Sequence, residues 1–453
     1  MTRALISYVL YPLVERQQKR EILPKLAAMK EFAQLPREAR QQANQQRLYE
    51  VVATAGRDVP YYRELFAQQN FDPETLKTDI RYLKDLPYLT KDILREQGER
   101  LQSERVNKAS LHVRKTGGST GPSTLIYYDQ EALDWTAAAN LWVLEWTGKK
   151  RYMKEVHFSS EFPEALSRRA QLVETIKCIT LNRVNITTAA FDPQSLRGIL
   201  KKLKAERPYG IQGHPSTLYS LALLAEKEDY PAAQKLFSVF ESTGEVLDRK
   251  KRDAIAKVFD CQIYDRYGNA EFGVTAHTEF DKTRNLRVLD YIVWPEIRAT
   301  GNDDRELVFT GLTNAAMPLI RYCTGDLGEL IQVDGEFHIT NIVGRIHDMV
   351  TLGDRSYPTH YIQDLLDRLG GIDEFQLEQK TPETLTLRIV LQPGGNPEQI
   401  QQRVHSWWGA NMTVEFVTLE SLKRQGWRAK FRHLVSSTAE SEDAIQSADT
   451  PVN

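Results

Sequence analysis

The spacing of apolar positions changes character along the chain, and each change marks a different kind of element. Over residues 20–105 apolar side chains recur at heptad-like spacing among many Gln, Glu, Arg and Lys, which predicts a helix-rich segment. Val59-Pro-Tyr-Tyr62 and Leu86-Pro-Tyr-Leu-Thr-Lys91 interrupt it, and Thr90 has the side chain to cap the helix that follows. From 130 to 275 amphipathic stretches alternate with short apolar runs. Helices are expected over 130–146, 164–177, 193–206, 215–227 and 247–258, and strands over 155–159, 209–212, 237–241 and 261–266. Strands alternating with helices of this length imply βαβ units and a mostly parallel sheet, whose ligands bind in loops at the carboxyl ends of the strands. From 285 to 342 the pattern becomes β-rich, and Leu330 to Ile339 alternates on both sides of Asp334-Gly335, a favoured two-residue hairpin turn.

Beyond about residue 345 a small α+β unit is expected. It has helices near 359–369 and 397–408, strands near 374–380, 384–391 and 412–417, and a loop at Pro393-Gly-Gly-Asn-Pro397. The tail after Val435 is Ser, Thr, Ala, Asp and Glu without aromatics, a composition that predicts disorder. The fold class that follows is α/β: a large multi-sheet N-terminal domain with βαβ units and a β-rich subdomain, plus a small α+β C-terminal domain. Residues 1–105 would form the helix-rich part of the large domain, 106–343 its core, 344–435 the small domain and 436–453 the tail.

The N-terminus is apolar from Leu5 to Val14 and carries Arg3 before it. It is followed by the charged run Glu15 to Arg20 rather than by a small-residue cleavage site. It reads as a short amphipathic helix packed on the body, with peripheral membrane contact as the alternative.

Composition narrows the function. The chain has 453 residues, enough for two or three domains, and a formal charge of −2 that gives no global case for nucleic-acid binding. The basic clusters Lys149 to Arg151 and Arg249 to Arg252 read as solvated surface. Cys178, Cys261 and Cys323 lie far apart without CxxC spacing, which argues against a disulfide framework or a zinc cluster and favours a reducing, cytoplasmic setting. No HExxH pattern occurs among the nine histidines, and no apolar run reaches the length of a membrane span.

The run Thr116-Gly-Gly-Ser-Thr-Gly121 carries the most chemistry. Glycines let backbone N–H groups converge on an anion, and the hydroxyls of Thr116, Ser119 and Thr120 add donors. The run also suits a solvated linker, but Arg114 and Lys115 before it and the strand-like Leu125 to Tyr128 after it favour an ordered phosphate loop. It is not a Walker A motif, because Pro122-Ser123 stands where a Lys-Ser/Thr is required. Three motifs follow in order. Tyr264-Asp-Arg-Tyr-Gly-Asn-Ala-Glu271 ends a strand and presents a carboxylate. Tyr322-Cys-Thr-Gly-Asp326 puts an aspartate after a glycine. Gly344-Arg-Ile-His-Asp348 lies at the change to the small terminal unit. His157-Phe-Ser-Ser160 and Gln212-Gly-His-Pro-Ser216 fall at strand ends, so His157, Ser159 and His214 either line a carboxylate pocket or serve as turn and core residues.

In this order and spacing the motifs resemble those of the adenylate-forming acyl ligases, over roughly residues 40–435. Val59-Pro-Tyr-Tyr62, Leu86-Pro-Tyr-Leu-Thr-Lys91 and Ser242-Thr-Gly-Glu245 are similar to the branch of phenylacetate–coenzyme A ligases and capsular-polysaccharide relatives. The resemblance implies that a carboxylate is activated with MgATP as an acyl-adenylate and then passed to a thiol, usually coenzyme A, with a small C-terminal domain that rotates between the two steps. It implies that Thr116, Gly117, Gly118, Ser119, Thr120 and Gly121 cradle the β- and γ-phosphates. Ser242, Gly244 and Glu245 would lie along the adenine, with Tyr267 and Gly268 beside it. Glu271 would hold Mg²⁺, with Thr120 as a weaker second ligand; Asp326 would bind the ribose hydroxyls, and Arg345 the ribose–phosphate region. Lys430 would approach the bridging oxygen between carboxylate and α-phosphate, with Lys423 as runner-up.

Three departures from the family pattern are visible. Pro122 directly follows Gly121, His347 stands where a hinge aspartate is usual with Asp348 beside it, and Ala429 replaces the glycine before Lys430. An acceptor other than coenzyme A (an amine, a hydroxyl or a carrier-protein thiol) and a catalytically inactive nucleotide-binding homologue are the other readings. The expected partners are a small carboxylic acid and coenzyme A or another acceptor, with no nucleic acid and no transmembrane segment; a homodimer is left open.

Overall fold

The computed structural model describes residues 2–115, 124–159, 168–187, 193–230, 233–279, 285–300, 304–345, 349–352, 355–358, 362, 366, 369–381, 384–409, 412–425, 430–431 and 433–436. The chain opens with α1 (Thr2–Leu5), a π-helical turn (Ile6–Leu10) and α2 (Tyr11–Gln17), which run on as one helix. Then come α3 (Ile22–Ala33), α4 (Arg37–Asp58), α5 (Pro60–Gln69) and α6 (Lys91–Gln97). Thr90 does cap α6: its Oγ1 accepts from the Ile93 N–H at 3.3 Å. The opening helix differs from the expectation. Its polar side faces the body, where Ser7 Oγ donates to the Arg151 carbonyl at 3.3 Å and Glu15 Oε1 accepts from the Leu23 N–H at 2.7 Å. Leu5, Val9 and Leu13 are left exposed.

A two-stranded ribbon, β1 (His112–Lys115) and β2 (Leu125–Tyr128), precedes α7 (Gln130–Trp146). Four strands alternate with helices after it: β3 (Glu155–Ser159), α8 (Arg168–Leu181), β4 (Arg183–Thr187), α9 (Pro193–Glu206), β5 (Gly210–Gly213), α10 (Pro215–Lys227), β6 (Val239–Ser242) and α11 (Arg249–Phe259). α9 shows why: Leu196, Ile199, Leu200 and Leu203 form one buried stripe at helical spacing. Beyond lie β7 (Gln262–Asn269), β8 (Gly273–His277), β9 (Leu286–Val288), β10 (Val293–Ala299), β11 (Arg305–Gly311), β12 (Tyr322–Val333) and β13 (Glu336–Arg345). The last two close the expected hairpin, with Asp334 at φ 51° and Gly335 at φ 82° in the turn.

These strands form one eleven-stranded sheet in the order β10-β11-β12-β13-β9-β8-β7-β6-β5-β3-β4. β3, β4, β5, β6 and β7 pair in parallel, as the βαβ pattern requires, and the remainder pair antiparallel. The β-rich region is joined to the parallel strands through β7, whose residues 262–265 pair in parallel with β6 and 266–269 antiparallel with β8. That is also why β7 runs to Asn269, past the expected end at 266.

One core packs the first helices and α7 on the antiparallel strands, through residues such as Met29, Leu48, Val52, Val143 and Phe309. A second lies between the parallel strands and α9, α10 and α11, around Val156, Ile211, Leu218 and Phe240. A third belongs to the C-terminal unit. That unit has the ribbon β14 (Met349–Leu352) with β15 (Arg355–Pro358), then β16 (Ile372–Thr381), β17 (Thr384–Leu391), α12 (Pro397–Trp408), β18 (Met412–Phe416), β19 (Arg424–Gln425), β20 (Lys430–Phe431) and β21 (Leu434–Ser436). Its main sheet runs β18-β17-β16-β21.

Charged groups hold this unit against α10 and α11. Lys250 Nζ donates to the Ile372 and Asp373 carbonyls at 3.0 and 2.7 Å, and Tyr219 OH donates to Asp373 Oδ1 at 2.5 Å. Lys251 Nζ lies 2.7 Å from Glu374 Oε2, and His433 Nε2 lies 3.2 Å from Glu374 Oε1. Burial works to raise the Glu374 carboxyl, but Lys251 and then His433 outweigh it and hold it well below the usual carboxylate range. Burial likewise works against the Lys251 ammonium, and Glu374 and Asp248 outweigh it, so its pKa lies above the ordinary lysine value.

Candidate active site

Two sequence motifs far apart in the chain meet where β7 faces β12. Tyr267 OH donates to Asp326 Oδ2 at 2.7 Å, and Tyr322 OH donates to Glu271 Oε1 at 2.8 Å. Both carboxylates are buried. The backbone around each is tightly specified. The ladder between β7 and β8 shifts at Tyr267/Gly268, and a Cβ on Gly268 would stand 2.4 Å from the Gly273 carbonyl oxygen, so only glycine fits. In the turn that follows, Asn269 Oδ1 accepts from the Phe272 N–H at 3.0 Å, and Tyr128 OH donates to the Ala270 carbonyl at 2.7 Å. These bonds fix the turn from which Glu271 projects.

On β12, Gly325 has φ 77° and donates its N–H to Glu306 Oε1 at 2.9 Å. Thr324 Oγ1 donates to the Leu307 carbonyl at 2.8 Å and accepts from the Asp326 N–H at 3.1 Å. Burial pushes the Glu306 carboxyl up despite the Gly325 N–H it accepts. Asp326 is in register with Arg345 on β13, so the strand ladder brings those two motifs to one row.

The carboxyl ends of β5 and β6 supply a second group. Ser242 ends β6, in register with Gly213 and Asp265. Gly244 has φ 80°, which turns the chain so that Glu245 reaches the first turn of α10. There its carboxylate accepts from the Ser216 N–H at 3.1 Å and from Ser216 Oγ at 3.0 Å, and His214 Nδ1 lies 3.9 Å away. The structure thus brings His214 and Glu245 together.

His157 instead joins a buried polar row across the parallel strands, in register with Gln212, Glu241 and Tyr264. Its Nε2 lies 3.2 Å from Glu155 Oε1, and burial lowers its pKa, which favours the neutral ring. Ser159 lies at the end of β3, paired with Thr187.

Motif reading missed the centre of this row. Glu241 Oε2 accepts from Gln212 Nε2 at 2.7 Å, and His277 Nε2 and Arg266 Nη1 stand 3.0 and 3.4 Å from Oε1. Arg266 also bonds Asn140 on α7. Burial works to raise the Glu241 carboxyl, but Arg266 and then His277 hold it at about 2. The available signal was a glutamate inside the apolar run Val239-Phe-Glu241, since a charge in a central strand needs partners. A cavity of about 10 Å³, room for one water, lies beside this row between Leu144, Thr147, His157, Gln212 and Glu241.

Several expected site residues lie outside the described residues: Thr116 to Gly121 with Pro122, and His347 with Asp348. The strands flanking the glycine-rich run are described, and Lys115 pairs with Leu125, so the chain leaves and re-enters the ribbon at one point. Lys430 is placed by its backbone opposite Gln425. Lys423 is committed elsewhere: its Nζ lies 2.8 Å from Glu378 Oε1 and its N–H donates to Gln376 Oε1 at 2.8 Å. Among the described residues there is no cluster of three or more His, Cys, Asp or Glu side chains able to hold a metal by themselves. Also among them, no helix is long and apolar enough to cross a membrane.

No family model matches the chain. Over 306 residues it is 24% identical to protein CapK of Staphylococcus aureus, a match spanning 66% of this chain and 66% of CapK. It is 24% identical over 376 residues to the phenylacetate–coenzyme A ligase of Aromatoleum evansii, covering 78% of this chain and 83% of that enzyme. Among solved structures it is similar to 2-hydroxyisobutyryl-CoA ligase in its postadenylation state with a bound acyl-AMP. There the TM-score is 0.69 at 19% identity, over 91% of this chain and 93% of that one. Against the thioesterification state of the same enzyme the TM-score is 0.58, over 92% and 94%. The chain thus has the fold of 2-hydroxyisobutyryl-CoA ligase, and in sequence it is similar to CapK and to phenylacetate–coenzyme A ligases.

Proposed function

We propose that the chain is an AMP-forming acid–thiol ligase. A carboxylate oxygen attacks the α-phosphorus of ATP, the bond to the β-phosphate breaks, and pyrophosphate leaves. A thiol, coenzyme A on this reading, then attacks the carbonyl of the mixed anhydride and AMP departs. The observation that carries the proposal is the bond between Tyr267 and Asp326, residues 59 positions apart, beside the bond between Tyr322 and Glu271. It gathers two of the three downstream motifs at one place, while the register of Asp326 with Arg345 brings in the third.

Each group suits its role. The Asp326 carboxylate can accept from a ribose diol, and its orientation is set by Tyr267 before any ligand arrives. Gly244 and Gly268 let backbone approach a flat base closely. Mg²⁺ fits the donor set as a shared ligand: it commonly takes one or two protein carboxylates plus phosphate oxygens, and Glu271 supplies a buried carboxylate while no all-protein cage exists among the described residues. When bound, the ion would offset phosphate charge. Thr116 to Gly121, with Thr120 as a weaker second ligand to the ion, would hold the β- and γ-phosphates, and Arg345 and Lys430 would face the charge that shifts at the α-phosphate. Residues 344–435 would turn about His347 and Asp348 between the two half-reactions.

Carboxylate-dependent ATP–pyrophosphate exchange across aromatic, aliphatic and hydroxy acids tests the first half-reaction. Exchange with one of these classes is expected, lost in Asp326→Ala and Glu271→Gln; no exchange with any acid overturns the reading. The similarity to CapK keeps an amine or hydroxyl acceptor in view. Product analysis with coenzyme A and with amino or hydroxyl acceptors decides between them.

A further inference from the structure

The opening helix and α8 expose apolar side chains in helical register. On the first, Leu5 is 59% and Leu13 58% exposed, with Val9 between them; on the second, Leu172 is 61% and Val173 57% exposed, with Ile176 and Ile179 following. The π turn Ile6–Leu10 lies directly against α8, so the two helices are neighbours. Together they present a patch on the order of several hundred Å², the size at which an exposed apolar surface marks an interaction site. It is a fixed part of the body, since the Tyr8 ring lies 6.3 Å from Tyr152 and the Arg151 guanidinium 4.6 Å from Tyr8.

We propose that this face docks on an anionic lipid surface. Charge selects that occupant. On these two segments Arg16, Lys19 and Arg168 are exposed, while Arg20 is paired with Asp134, Lys177 with Glu174, and Glu15 is buried. A two-fold dimer would press this basic patch against its own copy, because an isologous interface faces itself. An anionic bilayer offers the opposite charge to the same residues while its acyl boundary takes the aliphatic side chains. Exposed aliphatic side chains on two neighbouring helices with Arg16, Lys19 and Arg168 nearby meet both requirements, whereas neither helix is long and apolar enough to span.

The test is co-sedimentation of the full chain with vesicles of phosphatidylcholine alone and of phosphatidylcholine with phosphatidylglycerol. Binding to the anionic vesicles is expected, falling as salt shortens the Debye length from about 10 Å at 0.1 M. Leu13→Glu/Ile176→Glu should lose about tenfold or more of that binding. The uncharged Leu13→Gln/Ile176→Gln should lose it too, with unchanged thermal unfolding in both because the positions are exposed. No binding to anionic vesicles, equal binding to both vesicle types, or wild-type binding by the double variants overturns the proposal. So does a solution dimer that these variants convert to monomer, since the occupant is then a second copy.

Discussion

Replacing Lys251 by Met would test what holds the C-terminal unit in place. Lys251 is 4% exposed, with its ammonium 2.7 Å from Glu374 on β16 and 3.2 Å from Asp248. Methionine keeps the length of the stem and removes the charge. Glu374, itself 6% exposed, then retains His433 and the Phe375 N–H but loses its strongest partner. Leaving one member of a buried pair uncompensated costs about 3–5 kcal/mol, and the two retained contacts place the expected loss near ~3 kcal/mol. At about 1.4 kcal/mol per tenfold, that is roughly a hundredfold shift toward release of the unit. The loss should fall on the contact and not on the core behind it, because Leu377, Leu387 and Ile389 pack within their own cluster. Hydrogen exchange of peptides covering Ile372 to Phe375 should accelerate by about that factor, with β17 unchanged. Lys251→Met/Glu374→Leu should recover much of the protection, since no charge is then stranded. Unchanged exchange at Ile372 to Phe375 in Lys251→Met would refute the reasoning. The sign with pH follows from the depressed Glu374 carboxyl: its contribution is full above the unfolded value of about 4.3 and fades as pH falls toward the lower folded value.

Glu241→Gln should flatten acid unfolding. The wild-type carboxyl at about 2 contributes stability above an unfolded value of about 4.3, on the order of 3 kcal/mol, lost as pH drops through the folded value; urea titrations between those limits measure it. Gly268→Ala drives a Cβ to 2.4 Å from a backbone oxygen and should cost about 1–3 kcal/mol or more by chemical denaturation. Tyr267→Phe removes the donor to Asp326; a KM for ATP raised several-fold with kcat nearly unchanged is expected, and an unchanged KM would separate this bond from nucleotide binding. Lys430→Ala should lose adenylation but still use a supplied acyl-adenylate. Lys423→Ala should mainly lower the melting temperature, through its partner Glu378.

Periodicity located the described helices of the βαβ region to within a few residues, because each buries one stripe at 3.6-residue spacing, as Leu196 to Leu203 do. The Asp334-Gly335 turn was readable because two consecutive residues at positive φ admit few sequences. What was not legible shares one cause: it depends on partners distant in sequence. Nothing local shows that Ser7 and Glu15 face inward while Leu5 and Leu13 face out. Nothing local shows that β7 joins two sheet patterns, or that Glu241 is answered by Arg266 and His277. The pairing of Tyr267 with Asp326 was expected only in the loose sense that both motifs serve one ligand; the direct bond comes from the register of the sheet.

The dual pairing of β7 also bears on how the chain can fold. Successive residues of this strand are anchored on different partners: Arg266 reaches Glu241 and Asn140, and Tyr267 reaches Asp326. A slip of one residue would exchange them and break both sets at once. The parallel and antiparallel halves therefore cannot settle independently. On this arrangement β7 should settle into its final register only once β12 is in place, and pairing over so long a sequence separation should be slow. A fragment ending between β7 and β12 should remain unable to hold the strand in its native register.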